Sequence, residues 1–248
     1  MRAQRITERQ FEHLVGATVH EMRNVLTPLK ASVTTLARQL DGAVLDPSPF
    51  RRHVTKAQGR LDFLERLLED LRSFSQPIPT HHRRERLRAL IVEAVAMAQD
   101  ALAAGGRNGR RVKIEIDAAE AVTVEVARHH ILVAIANVVK NAVEAYATGP
   151  KALERGMVWV RAHVVGDESV EIVVEDQGMG ISVEDLEELR QFTPGKTTKR
   201  NQGTGFGMPI ARRNIQAHGG ELSITSEEGL GTTVTMMLPL DQERRGQP

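Results

Sequence analysis

Cysteine is absent from the 248-residue chain, which excludes a disulfide scaffold and thiolate chemistry and agrees with a cytoplasmic setting. Long apolar runs are also missing. Nothing approaches eighteen consecutive apolar residues, and the opening "MRAQRITERQ" lacks the apolar centre of a signal peptide, so neither a membrane segment nor an export signal is expected. A charge excess of either sign is lacking too: the formal net charge is +1, which gives no reason to expect nucleic acid. The basic runs "HHRRERLR" and "RNGRR" read as solvated linker and loop. What remains is an apolar content of 41%, ample for a folded core in one large domain or two small ones.

The hydrophobic period divides the chain. Phe11, Val15, Thr18, Met22, Val25, Leu29, Val33, Leu36 and Leu40 step mostly by four and three, the spacing of a helix-bundle seam. A second seam runs through Phe50, Val54, Ala57, Leu61, Leu64, Leu68, Leu71 and Phe74. The breaker-rich "DGAVLDPSP" between them predicts an antiparallel helical hairpin over 1–76. Two helices cannot close such a core alone, so pairing with a second copy into a four-helix bundle is expected. "SQPIPTHHRRE" stops the helix and leads into a linker over 77–85.

From 86 to 240 helices alternate with strands, and 241–248 reads as a tail. Helices are predicted over 86–104, 128–147 and 206–218. Strands are expected near 111–117, 121–126, 157–165 and 169–175, followed by the closing pair "ELSITS" and "TTVTMMLPL". Overall this is an α+β chain whose second half is an α/β layer structure with a mixed sheet. Its long Gly-rich segment, "DQGMGISVEDLEELRQFTPGKTTKRNQGTGFGM", is of a size that is usually either functional or disordered.

Two places carry candidate chemistry. In "VHEMRNVLTPL", His20 lies about 200° around the helix from Thr18 and Met22, off the seam. Glu21 is adjacent and Asn24 is one turn on, on the same face. An imidazole held in one tautomer by a carboxylate suits a nucleophile or base, although a surface histidine is the commoner use of such a position. Pro28 cannot donate to the Asn24 carbonyl and should loosen the helix there. In the second half, Asp176 ends an apolar strand before Gly178 and Gly180, where a carboxylate can accept from an exocyclic amine and glycines admit a flat ring. "GTGFGM" opens a helix whose free N–H groups favour phosphate, and it fits neither the P-loop nor the Rossmann pattern. Asn137 and Asn141 stand one turn apart, neutral oxygen donors of the kind that complete a Mg²⁺ shell with phosphates.

"HEMRN" with "LTPL" resembles the phosphoacceptor box of two-component sensor histidine kinases. "NVVKNA", "DQGMG", "FTPGKTTK" and "GTGFGM" resemble, in order, the N, G1, F and G2 boxes of their ATP-binding domain. The likeness spans roughly residues 11–240, and the spellings "NAVEA" and "TTK" are nearest to the nitrogen-regulator branch. It implies a dimerising histidine-phosphotransfer hairpin followed by an ATP-binding domain of the gyrase, Hsp90, histidine kinase and MutL superfamily. On that resemblance, ATP and Mg²⁺ bind through Asn137, Asn141, Asp176, Gly178, Gly180, Lys196, Thr197, Thr198, Lys199, Gly203, Thr204, Gly205, Phe206, Gly207 and Met208, with Asn141 and Asn137 on the metal. His20 takes the γ-phosphoryl group with Glu21 as its base, then passes it to an aspartate on a response regulator receiver domain. Asn24 is placed to aim water at that phosphoaspartate, a second, dephosphorylating activity. The input comes from a separate sensor protein or from an N-terminal sensor domain of a longer chain.

The chain departs from the pattern in three places. Val25 stands where the family often has proline, and Gly195 and Lys196 replace an aromatic pair of the F box. Ala145 holds the position of a tyrosine that stacks on adenine, leaving Tyr146 one residue out of register. Gyrase-like ATPases carry a water-activating glutamate where Asn137 stands, and an amide cannot serve as that base, which favours transfer over hydrolysis. A clamp ATPase would share the nucleotide boxes without needing His20, and a non-enzymatic phosphotransfer scaffold would share the hairpin without needing the boxes.

Overall fold

The computed structural model describes residues 22–23, 25–37, 47–75, 77–78, 81–104, 112–146, 156–196 and 203–240. The chain divides into two compact units, Met1–Ser75 with Thr193–Phe206, and Gln76–Phe192 with Gly207–Pro248.

In the first unit α1 is described over 25–37 and α2 spans Pro47–Ser75. The helix runs on past Pro28, whose carbonyl accepts from the Ser32 hydroxyl at 3.0 Å. Leu67 and Ala57 are buried on α2, yet the seam residues Leu61 and Leu68 are half exposed, as are Leu26 and Val33 on α1. Burying a leucine or valine contributes about 1.5–3 kcal/mol, so these four side chains leave a stabilising contact unmade within one copy of the chain. The expected turn over 41–49 lies largely outside the described residues.

The second unit runs β1 (Arg83–Arg86), α3 (Leu87–Ala104), β2 (Val112–Ala118), β3 (Thr123–Val126), α4 (Arg128–Glu144), β4 (Gly156–Val165), β5 (Ser169–Asp176), α5 (Val183–Arg190), α6 (Gly207–Ala217), β6 (Glu221–Glu227) and β7 (Gly231–Pro239). Five strands form a mixed sheet in the order β2-β4-β5-β7-β6, parallel between β2 and β4 and antiparallel elsewhere. Alternate residues turn inward: Val158, Val160 and Ala162 on β4, Val170, Ile172 and Val174 on β5, and Val234, Met236 and Leu238 on β7 are buried. They join one core with Leu90, Ile91 and Ala94 of α3, Ile131, Ile135 and Val138 of α4, and Ala211 and Ile215 of α6. The helices therefore cover one sheet face, and the core fixes α4 between strands and neighbouring helices.

Two elements are absent from the sequence reading. The basic run taken as linker ends in β1, which pairs antiparallel with β3, Arg83 opposite Val126. Four charged residues in succession conceal a strand because its backbone, not its side chains, makes the pairing. The long Gly-rich segment contains α5, started by Ser182, whose side chain accepts from the Asp185 N–H. α4 also stops at Glu144, short of the expected 147.

Candidate nucleotide-binding site

α4 carries Asn137 and Asn141 one turn apart, both half buried. Its two ends are held by different means. At the start, the buried His218 accepts the Ala127 N–H at Nε2 (3.0 Å), and its Nδ1 meets the Asn214 carbonyl at 2.6 Å. Nδ1 must therefore carry the proton, which fixes one neutral tautomer. Burial is the main cause that pushes this ring's pKa down from 6.5 to about 4, aided by the nearby His82 and His130. His82 stacks on it, ring centroids 4.9 Å apart. The Asn214 amide donates to the His130 carbonyl at 3.0 Å, tying α6 to the first turn of α4.

At the far end of α4 lies the turn after β5. Asp176 is buried, and one carboxylate oxygen accepts the Gly178 N–H at 2.9 Å, so the strand end folds back on its own side chain. A Cβ on Gly178 would come within 2.6 Å of the Ala145 Cβ, and Gly180, at φ +65°, stands where a Cβ would be 2.0 Å from the Glu227 carbonyl oxygen. Only glycine adopts that conformation at that approach. The Met179 N–H donates to the Ala145 carbonyl at 3.2 Å, and the Gly229 N–H to the Met179 carbonyl at 2.8 Å. The turn is thus fastened to α4 on one side and to the β6–β7 turn on the other.

The start of α6 closes the group: a Cβ on Gly207 would lie 3.3 Å from Asn137 Oδ1. The two amides of α4, the Asp176 turn and Gly207 with Met208 all belong to the second unit. Their chemistry fits a purine nucleotide with its cation: a buried carboxylate for an exocyclic amine, glycine positions without room for side chains, neutral amide oxygens for a hard cation, and a helix start for phosphate.

The remaining expected residues fall elsewhere. Lys196 and Gly203–Phe206 belong to the first unit. There the Gly195 N–H donates to the Gly205 carbonyl at 3.2 Å, the Thr204 hydroxyl donates to the Asp70 carboxylate of α2, and the buried Phe206 meets Phe74 edge-on at 6.2 Å. His20, Glu21, Asn24, Thr197, Thr198 and Lys199 lie outside the described residues. Sequence reasoning missed the part played by Tyr146, whose phenol is buried and doubly hydrogen-bonded beside Asp176. Its being the chain's only tyrosine, just after the asparagine helix, was the available signal.

Residues 127–242 match the histidine kinase-, DNA gyrase B- and HSP90-like ATPase family. The signal transduction histidine-protein kinase AtoS of Escherichia coli is 26% identical over 230 residues, covering 93% of this chain and 35% of AtoS. The chain spans less than half the length of the first curated relatives it matches. Among solved structures, the catalytic domain of histidine kinase ThkA matches 66% of this chain and 99% of that domain, at 26% identity and a TM-score of 0.54. ThkA in complex with response regulator protein TrrA shares the fold over 93% of this chain and 62% of that one, at 20% identity and a TM-score of 0.71. The motif order, the sheet with its helix-borne asparagines and these likenesses agree: residues 127–242 form a histidine kinase-, DNA gyrase B- and HSP90-like ATPase domain, and the chain as a whole is similar to sensor histidine kinases.

Proposed function

We propose that the chain is an ATP-dependent protein histidine kinase that phosphorylates its own His20 and passes the phosphoryl group to an aspartate of a response regulator. The observation that carries this reading is that Asn137, Asn141, the Asp176 turn and the α6 start all belong to the second unit and meet along α4, in a chain whose sequence carries "HEMRN" before them. Asp176 accepts from the adenine amine. Asn141, with Asn137, holds Mg²⁺, which supplies charge neutralisation on the phosphates when bound. The resemblance assigns Gly203, Thr204, Gly205, Phe206, Gly207 and Met208 to the phosphates, and Lys196, Thr197, Thr198 and Lys199 to the transferred group.

The neutral ring nitrogen of His20 attacks the γ-phosphorus. A nitrogen–phosphorus bond forms as the bond from phosphorus to the bridging oxygen breaks, ADP leaves, and Glu21 takes the ring proton. An amide at 137 gives water no general base, so hydrolysis should be slow. The half-exposed Leu26, Val33, Leu61 and Leu68 support a homodimer in which a second hairpin covers them. TrrA, the partner in the ThkA complex, supports a receiver domain as the acceptor, and no described helix is long and apolar enough to cross a membrane. Asn24 fits a regulator-dephosphorylating role.

Incubation with γ-labelled ATP tests the reading. Asn141→Ala and Asp176→Ala should lose labelling while His20 still accepts phosphoryl from a phosphorylated regulator. Labelling unchanged in both variants would reject the site. Phosphoregulator decay should slow with Asn24→Ala and keep its rate with Glu21→Ala; equal decay with wild type and Asn24→Ala would remove the dephosphorylating role.

A further inference from the structure

Tyr146 stands two residues beyond the end of α4, buried, with its ring so close to Gly156 that a Cβ there would lie 2.6 Å from the ring's Cγ. Its hydroxyl accepts the Gln177 N–H at 2.7 Å and donates to the Met157 carbonyl. Those two groups are not an arbitrary pair. The β4–β5 ladder has Val158 opposite Asp176 as its last rung, so Met157 and Gln177 would be the next. The phenol stands between them as an extra link, accepting from one strand and donating to the other. The ladder ends there, and the chain leaves β5 directly after Asp176. Burial raises the phenol's pKa, so it keeps the proton it donates to Met157. The adjacent Ala145 carbonyl takes the Met179 N–H, giving the turn a second tie to the same helix end.

Packing alone does not call for the hydroxyl, since phenylalanine would fill the same volume against Gly156. What the hydroxyl adds is a fixed position for the residue that follows Asp176. We propose that Tyr146 is a positioning residue for base recognition: it does not stack on the base, and instead its hydroxyl sets the place from which the Asp176 carboxylate reads the 6-amino group. This rests on the adenine-reading role proposed above for Asp176. It also links the two ends of the nucleotide, because the helix that presents Asn137 and Asn141 is the one that ends in this wedge.

The test compares dissociation constants for ATP and inosine triphosphate, which carries an oxo group in place of the amine, on the full chain. Wild type should prefer ATP. Tyr146→Phe should weaken ATP by about three- to tenfold, the range of one lost hydrogen bond, and leave inosine triphosphate nearly unchanged, so the preference falls by that factor. Asp176→Asn should abolish the preference, and adding Tyr146→Phe to it should change the ratio no further. Gly156→Ala keeps the hydroxyl and pushes the ring, so it should lower the preference in the same direction and serves if Tyr146→Phe does not fold. A lower melting temperature with the wild-type preference in Tyr146→Phe, or in folded Gly156→Ala, overturns the proposal while Asp176 keeps its role. A wild-type preference in Asp176→Asn overturns the parent reading instead.

Discussion

Two glycine-rich stretches, Asp176–Gly180 and Gly203–Phe206, look alike on the page and are held in unlike ways. The first is tied from three sides: by Tyr146 and Ala145 from the end of α4, by Asp176 from its own strand, and by Gly229 from the β6–β7 turn. Among the described residues, the second has its Gly205 carbonyl accepting from the Gly195 N–H, the Phe206 N–H donating to the Thr204 hydroxyl, that hydroxyl donating to Asp70, and an aromatic edge on Phe74. A base-reading turn gains from rigidity, because discrimination between an amine and an oxo group depends on where one carboxylate sits. On the proposed function, a stretch that is to wrap phosphates and release ADP gains from contacts that are individually weak. Glycine lets backbone meet backbone in both, Gly180 against Glu227 and Gly205 against Gly195 and Lys196.

The largest expected effect comes from breaking the rigid stretch. Gly180→Ala adds a Cβ 2.0 Å from the Glu227 carbonyl oxygen at a positive φ, combining backbone strain with overlap, and should cost about 4 kcal/mol. Gly205→Ala also sits at positive φ, against the Gly195 and Lys196 backbone, yet it should cost about 1 kcal/mol in global stability because the strain can be relieved locally. Thermal melts of the two variants compare them; equal losses would dissolve the contrast.

The opposite end of α4 gives the next largest effect, through pH. The buried His218 ring holds its pKa at about 4 against 6.5 when unfolded. Above pH 6.5 neither state takes the proton and the stabilising contact with Ala127 is whole. Below 6.5 the unfolded chain gains a proton the folded ring refuses, and stability declines until pH has fallen through about 4, by a total on the order of 3 kcal/mol. Urea midpoints between pH 7 and 4 should show this loss. His218→Phe should be less stable at pH 7, since the buried Ala127 N–H loses its acceptor, and should lose less on acidification. The smallest effect is expected at the looser stretch: Thr204→Val removes one donor to Asp70 and should cost about 1 kcal/mol or less.

How much of this was legible follows from what each residue interacts with. α4, β4, β5 and the closing strands follow from period alone, because Ile131, Ile135 and Val138, or Val158 and Val160, bury on schedule. Asp176 and the asparagines were legible because their types suit the chemistry at those spacings. β1 was not, since Arg83 to Arg86 gain their place from backbone bonds to β3, about forty residues away. α5 was partly so: Ser182 three residues before Asp185 is a capping signal, masked by the glycines around it. Tyr146 is the clearest omission. Its role depends on Met157 and Gln177 being opposite one another, a fact of strand register that no local pattern carries.

The central claim, phosphoryl transfer from ATP to His20, is tested most directly by one labelling experiment on wild type and His20→Ala. With γ-labelled ATP and Mg²⁺, the wild-type chain should take up label that acid removes and base spares, the behaviour of a phosphorus–nitrogen bond. His20→Ala should fold, dimerise and remain unlabelled. Label persisting at the wild-type level on His20→Ala, or label stable to acid on the wild type, would contradict the account.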